Sequence, residues 1–193
     1  FYSAMTGFLG FAMLDGEYKM MGLAPYGSPD YLPFIRQNIL LTDAPGSYRL
    51  NGDLLDYHAA LKKQFHPKLL EAFGSPRLSD DAPFTERHRQ IAASAQAAFE
   101  EVVGDMASWA FQQGGKRTNV AIAGGCGLNC SANGKLLRDG PFTRMYVPPA
   151  PHDAGCAVGA ALLLHHERLG KPRQFEMTHA YYGPAYGEQD IGR

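Results

Sequence analysis

Three glycines stand where a strand would meet a helix. The stretch AIAGGCGLNCSANGKLL (121–137) carries Gly124, Gly125 and Gly127 between an apolar run and a predicted helix. Glycine has no Cβ, so a ligand can approach the backbone closely there, and the N–H groups at the start of the helix would face the same place. The spacing matches neither G-x-G-x-x-G nor G-x-x-x-x-G-K-[ST]. The residues alone leave open whether this turn binds a nucleotide or binds nothing.

A second loop, VPPAPHDAG (147–155), places Asp153 directly before another predicted helix. Asp is a preferred N-cap residue, because its carboxylate accepts hydrogen bonds from the first N–H groups of a helix. A carboxylate is also a common ligand of divalent metals and a common catalytic group. His152 offers another ligand atom, although adjacent side chains usually point in different directions. The pattern leaves both the cap and the metal ligand open.

Two charged residues interrupt the apolar segment GEYKMMGLAPYG (16–27), namely Glu17 and Lys19. Charged groups in such a segment must pair, reach solvent or meet a polar ligand. The default interpretation is the solvated face of a short helix that ends at Pro25.

The predicted elements after residue 85 alternate between helix and strand. A helix capped by Thr85 and ended by the Gly114–Gly115 pair precedes a strand at 118–125, and further helices are predicted at 128–139 and 156–170 around a second strand. This alternation predicts an α/β layer with parallel strands. Ligands bind beyond the carboxyl ends of such strands, so the two loops described above are expected to lie side by side.

The helix after Thr85 shows the clearest pattern in the chain. His88 occupies the place where a capping box has Glu or Gln, so only the cap half of the box is expected. Apolar residues then recur every three or four positions and predict a face buried in the core. These residues are Ile91, Ala95, Ala98, Val102, Met106 and Trp109.

The first 84 residues and the last 23 are less regular. Ser28 or Asp30 is expected to cap a short helix, and a small hairpin is expected with turns at Pro45–Gly46 and Asn51–Gly52. Residues 62–84 are rich in proline and predict irregular structure. The tail from Lys171 predicts a linker that leaves the domain.

Composition excludes several classes of protein. Of 193 residues, 45% are hydrophobic and 19% charged, with a net charge of −1, which predicts a packed globular core and no membrane or nucleic-acid partner. The start at Phe1 carries no signal-peptide pattern, and its apolar sequence is expected to be the middle of a domain that has been cut there. Cys126, Cys130 and Cys156 make no disulfide framework, and no histidine lies close to Cys126 and Cys130 in the sequence to complete a zinc site, so the three are expected to be buried or half-buried in a cytoplasmic protein.

Three motifs together identify a resemblance. GEYKMMGLAPYG, AGGCGLNCSANGKL and VPPAPHDAGCAVGAAL, in this order, resemble the O-carbamoyltransferases of antibiotic and nodulation-factor biosynthesis. The resemblance implies an actin-like fold of the sugar-kinase and Hsp70 ATPase superfamily, with two ribonuclease-H-like halves around a nucleotide. It also implies a transferase that moves a carbamoyl group from carbamoyl-adenylate to a hydroxyl of a sugar-containing acceptor, either a small molecule or an oligosaccharide.

The resemblance assigns roles to individual residues. Gly124, Gly125 and Asn129 would hold the adenylate, Glu17 would bond the ribose and Lys19 would support it. A divalent metal, expected to be iron, would take Asp153 as one ligand. ATP and carbamoyl phosphate would be the sources of the carbamoyl-adenylate.

The remaining parts of such an enzyme are expected outside this chain. The other metal ligands and the catalytic Asp-His motif would lie in an N-terminal half, and the adenylate would be made by a C-terminal domain, so the fragment is expected to be inactive alone. The expected organisation is an acceptor-side part at 1–84, a ribonuclease-H-like half at 85–175 and a linker at 176–193; a homodimer is compatible with it. Two alternatives are a tRNA threonylcarbamoyl transferase and a nucleotide-binding module without catalysis.

Overall fold

The computed structural model describes residues 1–56 and 65–191. Among these residues, Cα packing separates two compact units. The first unit comprises Phe1–Val120 and Asn129–Met145, and the second comprises Ala121–Leu128 and Tyr146–Arg193. The predicted division at residues 84 and 175 stays a prediction.

The elements are mainly helical, with short strands, so the α/β class is confirmed. The helices are α1 (Tyr2–Phe8), α2 (Glu17–Leu23), α3 (Leu32–Asn38), α4 (Pro67–Phe73), α5 (Glu86–Gln113), α6 (Cys130–Asp139), α7 (Cys156–Leu163) and α8 (Glu188–Ile191). The strands are β1 (Leu40–Leu41), β2 (Arg49–Leu50), β3 (Asn119–Ala121) and β4 (Arg144–Tyr146). None of the helices in the described ranges combines the length and apolar character that crossing a bilayer needs.

The core of the first unit forms where the short helices pack on one another and on α5. Phe73 of α4 is fully buried and meets three aromatic rings, those of Phe8, Tyr31 and Phe34, at centroid distances of 5.7, 5.1 and 5.5 Å. Aromatic rings at these separations attract one another beyond the area they bury. The prediction of irregular structure over 62–84 is therefore wrong for 67–73, and its first three residues lie outside the described ranges.

Helix α5 begins with a complete capping box. Thr85 Oγ1 accepts a hydrogen bond from His88 N, and Thr85 N donates to His88 Nδ1 at 3.1 Å. The prediction of half a box was wrong, because the imidazole Nδ1 accepts the bond that a Glu or Gln oxygen usually accepts. Burial and the neighbouring arginines Arg77, Arg87 and Arg89 lower the pKa of His88.

The apolar face of α5 is buried in its first half only. Ile91, Ala95, Ala98 and Val102 belong to the core, whereas Met106 and Trp109 are 41% and 47% exposed. The Gly114 end of the helix is as predicted.

The hairpin and the third helix differ from expectation in detail. β1 and β2 pair antiparallel, with Leu40 opposite Leu50, and Pro45–Gly46 lies in the connection as predicted. Asn51–Gly52 follows β2 and makes no hairpin turn. Neither Ser28 nor Asp30 caps α3; its N-cap is Tyr31, which makes no side-chain cap.

Strands β3 and β4 form a two-stranded sheet. Thr118 O accepts from Thr143 N at 2.8 Å, and Tyr146 O accepts from Ile122 N at 2.9 Å. Both partners advance together along the chain, so the strands are parallel, as the helix–strand alternation predicts. α6 is the crossover between them. The tail after Leu169 is exposed and holds α8 as its regular element within the described residues.

Candidate functional site

The backbone conformation and packing of the turn after β3 depend on its glycines. Gly124 has φ +99°, which side-chain-bearing residues rarely adopt, and its N–H donates to Pro151 O at 2.6 Å. A Cβ at Gly127 would lie 3.2 Å from Pro151 Cβ. The 124–127 turn and the 148–155 loop therefore lie side by side, which confirms the expectation drawn from the parallel strands.

Gly125 differs from Gly124 and Gly127 because the fold does not require glycine at position 125. Its φ lies in the ordinary range, and a Cβ built on it would meet no heavy atom of the described residues within 4 Å. The described residues would therefore leave room for a side chain at position 125.

The 148–155 loop is shaped by a third glycine and by a histidine. A Cβ at Gly155 would lie 2.1 Å from Ala150 O, so the loop requires glycine here. His152 Nδ1 accepts a hydrogen bond from Ala154 N at 3.3 Å and caps the short 3-10 turn Asp153–Gly155.

Asp153 is exposed and caps no helix. The N-cap of α7 is Gly155, and His152 caps the turn that precedes it. The helix-cap interpretation of Asp153 is therefore wrong, and the metal-ligand interpretation stays a prediction. Within the described ranges, no three side chains of the His, Cys, Asp and Glu types come together as a metal site. Asp153 would therefore supply one ligand of an incomplete set.

The three cysteines are free and exposed, so the expectation of burial is wrong. Cys130 contacts Met21 Sδ with its Sγ at 3.8 Å.

Asn129 is buried at the start of α6, where its amide has a structural role. Asn129 Oδ1 accepts from Ala132 N at 3.0 Å and so caps the helix. The Asn129 and Gln96 amides also pair reciprocally, with two N···O distances of 3.0 Å. Gln96 in turn accepts from Tyr2 Oη at 2.6 Å and donates to Glu100 at 2.8 Å. The pair fastens the start of α6 to α5.

Glu17 forms the first residue of α2 and reaches back along the chain. Its Oε1 accepts from Leu14 N at 2.9 Å. Leu14 has φ +67°, an unusual value for a residue with a side chain, and the bond from its N–H holds this turn. Glu17 therefore fixes the bend that leads into α2.

Lys19 is half-buried two residues later on the same helix. Its Nζ donates to Asp80 Oδ2 and lies 5.9 Å from the centroid of the Phe11 ring. The hydrogen bond to Asp80 raises the pKa of Lys19. Neither Glu17 nor Lys19 is simply solvated; each is paired.

The sequence analysis did not select Arg77 and Asp80, two charged residues that lie near Lys19. The Arg77 side chain is 2% exposed, although arginine is rarely buried without partners. Both residues lie in a stretch that has no helical or strand periodicity of apolar residues. Their charge, in a segment otherwise rich in small residues and proline, was the only signal in the sequence that could have selected them.

A cavity of about 470 Å³ lies in the first unit beside the β1–β2 connection. Its lining is mixed: an apolar part from β1 and α5, and a charged part with three carboxylates and one guanidinium. The residues are Arg36, Leu40, Thr42, Asp43, Ala44, Pro45, Ala98, Glu101, Val102 and Asp105. Arg36 pairs with Glu101 through two hydrogen bonds, one of them 2.7 Å long, and Asp105 accepts from Gly46 N at 2.7 Å.

Comparison with known proteins finds relatives over nearly the whole chain. An uncharacterized protein of Synechocystis is 41% identical over 98% of this chain and 31% of its own length. Nodulation protein NolO of Bradyrhizobium diazoefficiens is 40% identical over 98% of this chain and 32% of its own length. Nodulation protein NolNO of Sinorhizobium fredii is 39% identical, with coverages of 96% and 25%. The chain thus spans between a quarter and a third of the length of these relatives.

Residues 1–162 match the family described as carbamoyltransferase N-terminus. This match covers the paired loops, Glu17, Lys19 and Asn129, and ends inside α7. The chain belongs to the carbamoyltransferase N-terminal family.

Proposed function

We propose that this chain is part of an O-carbamoyltransferase that moves a carbamoyl group from carbamoyl-adenylate to a hydroxyl of a sugar-containing acceptor. The family match and the nodulation-protein relatives support a carbamoyl-transferring enzyme. The motif resemblance supports the adenylate donor, the sugar-containing acceptor and the actin-like fold.

One observation carries the nucleotide part of this proposal. The turn at Gly124–Gly127 is fastened to the 148–155 loop at the carboxyl ends of two parallel strands, while a Cβ at Gly125 would meet none of the described residues within 4 Å. The fold explains why residues 124 and 127 are glycine but gives no reason for glycine at 125. A nucleotide lying against the backbone would supply that reason.

In the proposed reaction, the acceptor hydroxyl oxygen attacks the carbamoyl carbon. A C–O bond forms to the acceptor, the bond from the carbonyl carbon to the phosphate oxygen breaks, AMP leaves and the hydroxyl proton is released. The developing oxyanion needs stabilising groups placed in advance. The residues proposed here bind the donor: Gly124 and Gly125 through close backbone approach, and Glu17 through the ribose with support from Lys19.

Asn129 is proposed as a further nucleotide-binding residue, and its amide pairing sets a condition on that role. Its cap to α6 and its bonds to Gln96 engage Oδ1 and Nδ2. An amide can form up to four hydrogen bonds. Any contact of Asn129 with a nucleotide would therefore use the remaining capacity of a side chain held in place by Gln96.

The acceptor is proposed to contact the cavity beside the β1–β2 connection. Carboxylates accept hydrogen bonds from sugar hydroxyl groups, and the apolar part from Leu40 and Val102 suits the C–H surface of a sugar ring. The four ionisable residues of the lining, three acidic and one basic, favour an acceptor that also carries an amine. The connection lies in the 39–84 segment, where loops on a shared scaffold would set specificity.

The free, exposed cysteines suit a reducing compartment, and we propose that the enzyme acts in the cytoplasm.

A valine scan of two glycines tests the nucleotide assignment in the full-length protein. Gly125→Val introduces a side chain where the fold leaves room, so the protein should fold but lose carbamoyl transfer and bind AMP at least tenfold more weakly. Gly104→Val is the matched control, because Gly104 on α5 also has no heavy atom within 4 Å of a built Cβ among the described residues. It should keep both activities. Normal transfer by folded Gly125→Val would refute the assignment.

A further inference from the structure

The segment from Arg77 to Phe84 is organised around one buried guanidinium. Arg77 Nε donates to Ala82 O at 2.7 Å, and its two other nitrogens donate to Leu9 O at 3.1 Å and to Asp80 O. The guanidinium carbon lies 3.9 Å from the centroid of the Phe84 ring. Three carbonyls and an aromatic face compensate the buried charge.

This arrangement fixes the segment relative to α1. Leu9 follows α1, and Arg77 N also donates to Phe8 O at 3.0 Å. Gly10, with φ +77°, allows the close approach, because a Cβ there would lie 3.0 Å from both Arg77 O and Ser79 O. The segment therefore has one defined path along the end of α1.

Asp80 stands on this segment between two cations. Its Oδ1 lies 3.9 Å from Arg77 Nη1, and its Oδ2 accepts from Lys19 Nζ. The Asp80 backbone carbonyl is itself held by Arg77. Asp80 is thus fixed through both its main chain and its side chain, and it presents a carboxylate oxygen to Lys19.

We propose that Asp80 is a positioning residue for the nucleotide site: it holds the Lys19 ammonium in one place, and Arg77 holds Asp80. The inference rests on the proposed nucleotide role of Lys19. An unpaired lysine samples many rotamers, and a ligand that needs the ammonium in one place must restrict them on binding. A lysine already held by Asp80 lowers that entropic cost and so strengthens binding.

The Lys19–Asp80 pair predicts how fast the Lys19 amine reacts with an acylating reagent, and this can be measured without a bound ligand. The Asp80 carboxylate favours the charged ammonium, so replacing it with an amide returns the Lys19 pKa toward its ordinary value. The uncharged fraction of Lys19 at a given alkaline pH then rises. An amine-specific acylating reagent should modify Lys19 faster in Asp80→Asn, by about two- to fivefold for a solvent-accessible pair.

The experiment measures acylation of Lys19 by peptide mass spectrometry in the folded full-length protein. Asp81→Asn is the matched control, because it removes the same charge from the next residue, which forms no ion pair within the described ranges. Asp80→Glu tests rescue, since it restores a carboxylate. We expect faster acylation in Asp80→Asn only. Equal rates in Asp80→Asn and Asp81→Asn would overturn the inference.

AMP affinity measured on the same variants separates this inference from the proposed function. Lys19→Ala should weaken AMP binding, Asp80→Asn should weaken it by about two- to fivefold, and the double variant should bind no more weakly than Lys19→Ala. If Lys19→Ala leaves AMP affinity unchanged, the nucleotide role of Lys19 fails, and positioning for nucleotide fails with it even where acylation shows the pair. If Lys19→Ala weakens binding and Asp80→Asn does not, or if the two effects add, only the positioning role fails.

Discussion

Substitutions at Asn129 separate its two structural roles, the cap of α6 and the amide pair with Gln96. Asn129→Ser keeps a side-chain oxygen for Ala132 N but removes both bonds to Gln96. Asn129→Ala removes the cap as well. The two substitutions therefore form a series in which each step deletes one kind of interaction.

The structure sets the size of each step. Two buried amide bonds are lost in Asn129→Ser, but Gln96 keeps its bonds to Tyr2 and Glu100, so we expect the low end of the range for such bonds, about 1–2 kcal/mol in total. Removing the cap in Asn129→Ala adds about 1 kcal/mol.

Hydrogen exchange of α6 amides in the full-length protein is the suitable assay, because it reports the local stability of α6 itself. A loss of 1–2 kcal/mol corresponds to exchange faster by about 5- to 30-fold in Asn129→Ser, with a further factor of about five in Asn129→Ala. In a Gln96→Ala background, Asn129→Ser should have little further effect, because the pair is already broken.

Wild-type exchange in Asn129→Ser would refute the contribution of the amide pair, and equal exchange in the Ser and Ala variants would refute the cap. AMP affinity measured in parallel shows whether Asn129 also contacts the nucleotide: a loss in Asn129→Ser but not in Gln96→Ala would indicate a direct contact.

Two further predictions concern His88 and Asp153. Because the pKa of His88 is lowered on folding, its contribution to stability is complete above the unfolded-state value near 6.5 and is lost as the pH falls toward the folded-state value. His88→Gln keeps an acceptor for Thr85 N and should flatten the pH dependence of α5 hydrogen exchange below about pH 6.5; an unchanged profile would contradict this. Asp153→Ala in the full-length protein should deplete bound iron in metal analysis, and no loss of a helix cap accompanies the change, since Asp153 is exposed and caps no helix; normal iron content would refute the metal role.

The elements that local sequence encodes were predicted well. The Thr85 cap, the Gly114 end and the β3–α6–β4 alternation all depend on residues a few positions apart, and the structure contains each of them. The Gly124 turn could likewise be predicted from the sequence, because its glycines follow a short apolar strand. The side-by-side arrangement of the two loops followed from strand direction alone.

Long-range packing explains the failures. Helix α4 was missed because prolines suggested irregularity, whereas Pro67 occupies the first position of the helix, where its missing N–H is harmless, and Phe73 is buried among distant aromatic rings. Met106 and Trp109 continue the apolar period of α5 but are partly exposed. Periodicity predicts which face of a helix is apolar but not how far along its length that face is covered.

The candidate site shows the same distinction among its own residues. Its charge in an apolar segment was enough to select Lys19, and the family resemblance selected Asn129, but their partners Asp80 and Gln96 lie 61 and 33 positions away in the chain. No pattern within a short window relates such residues, so only the fold could supply them. The partners also change the chemical argument: an exposed lysine and a bare asparagine would be generic ligand groups, whereas a lysine held by a fixed carboxylate and an asparagine held by a buried glutamine are pre-oriented. Pre-orientation of polar groups is what transition-state stabilisation and tight binding require. The residues that hold Lys19 and Asn129 are therefore as informative about function as Lys19 and Asn129 themselves.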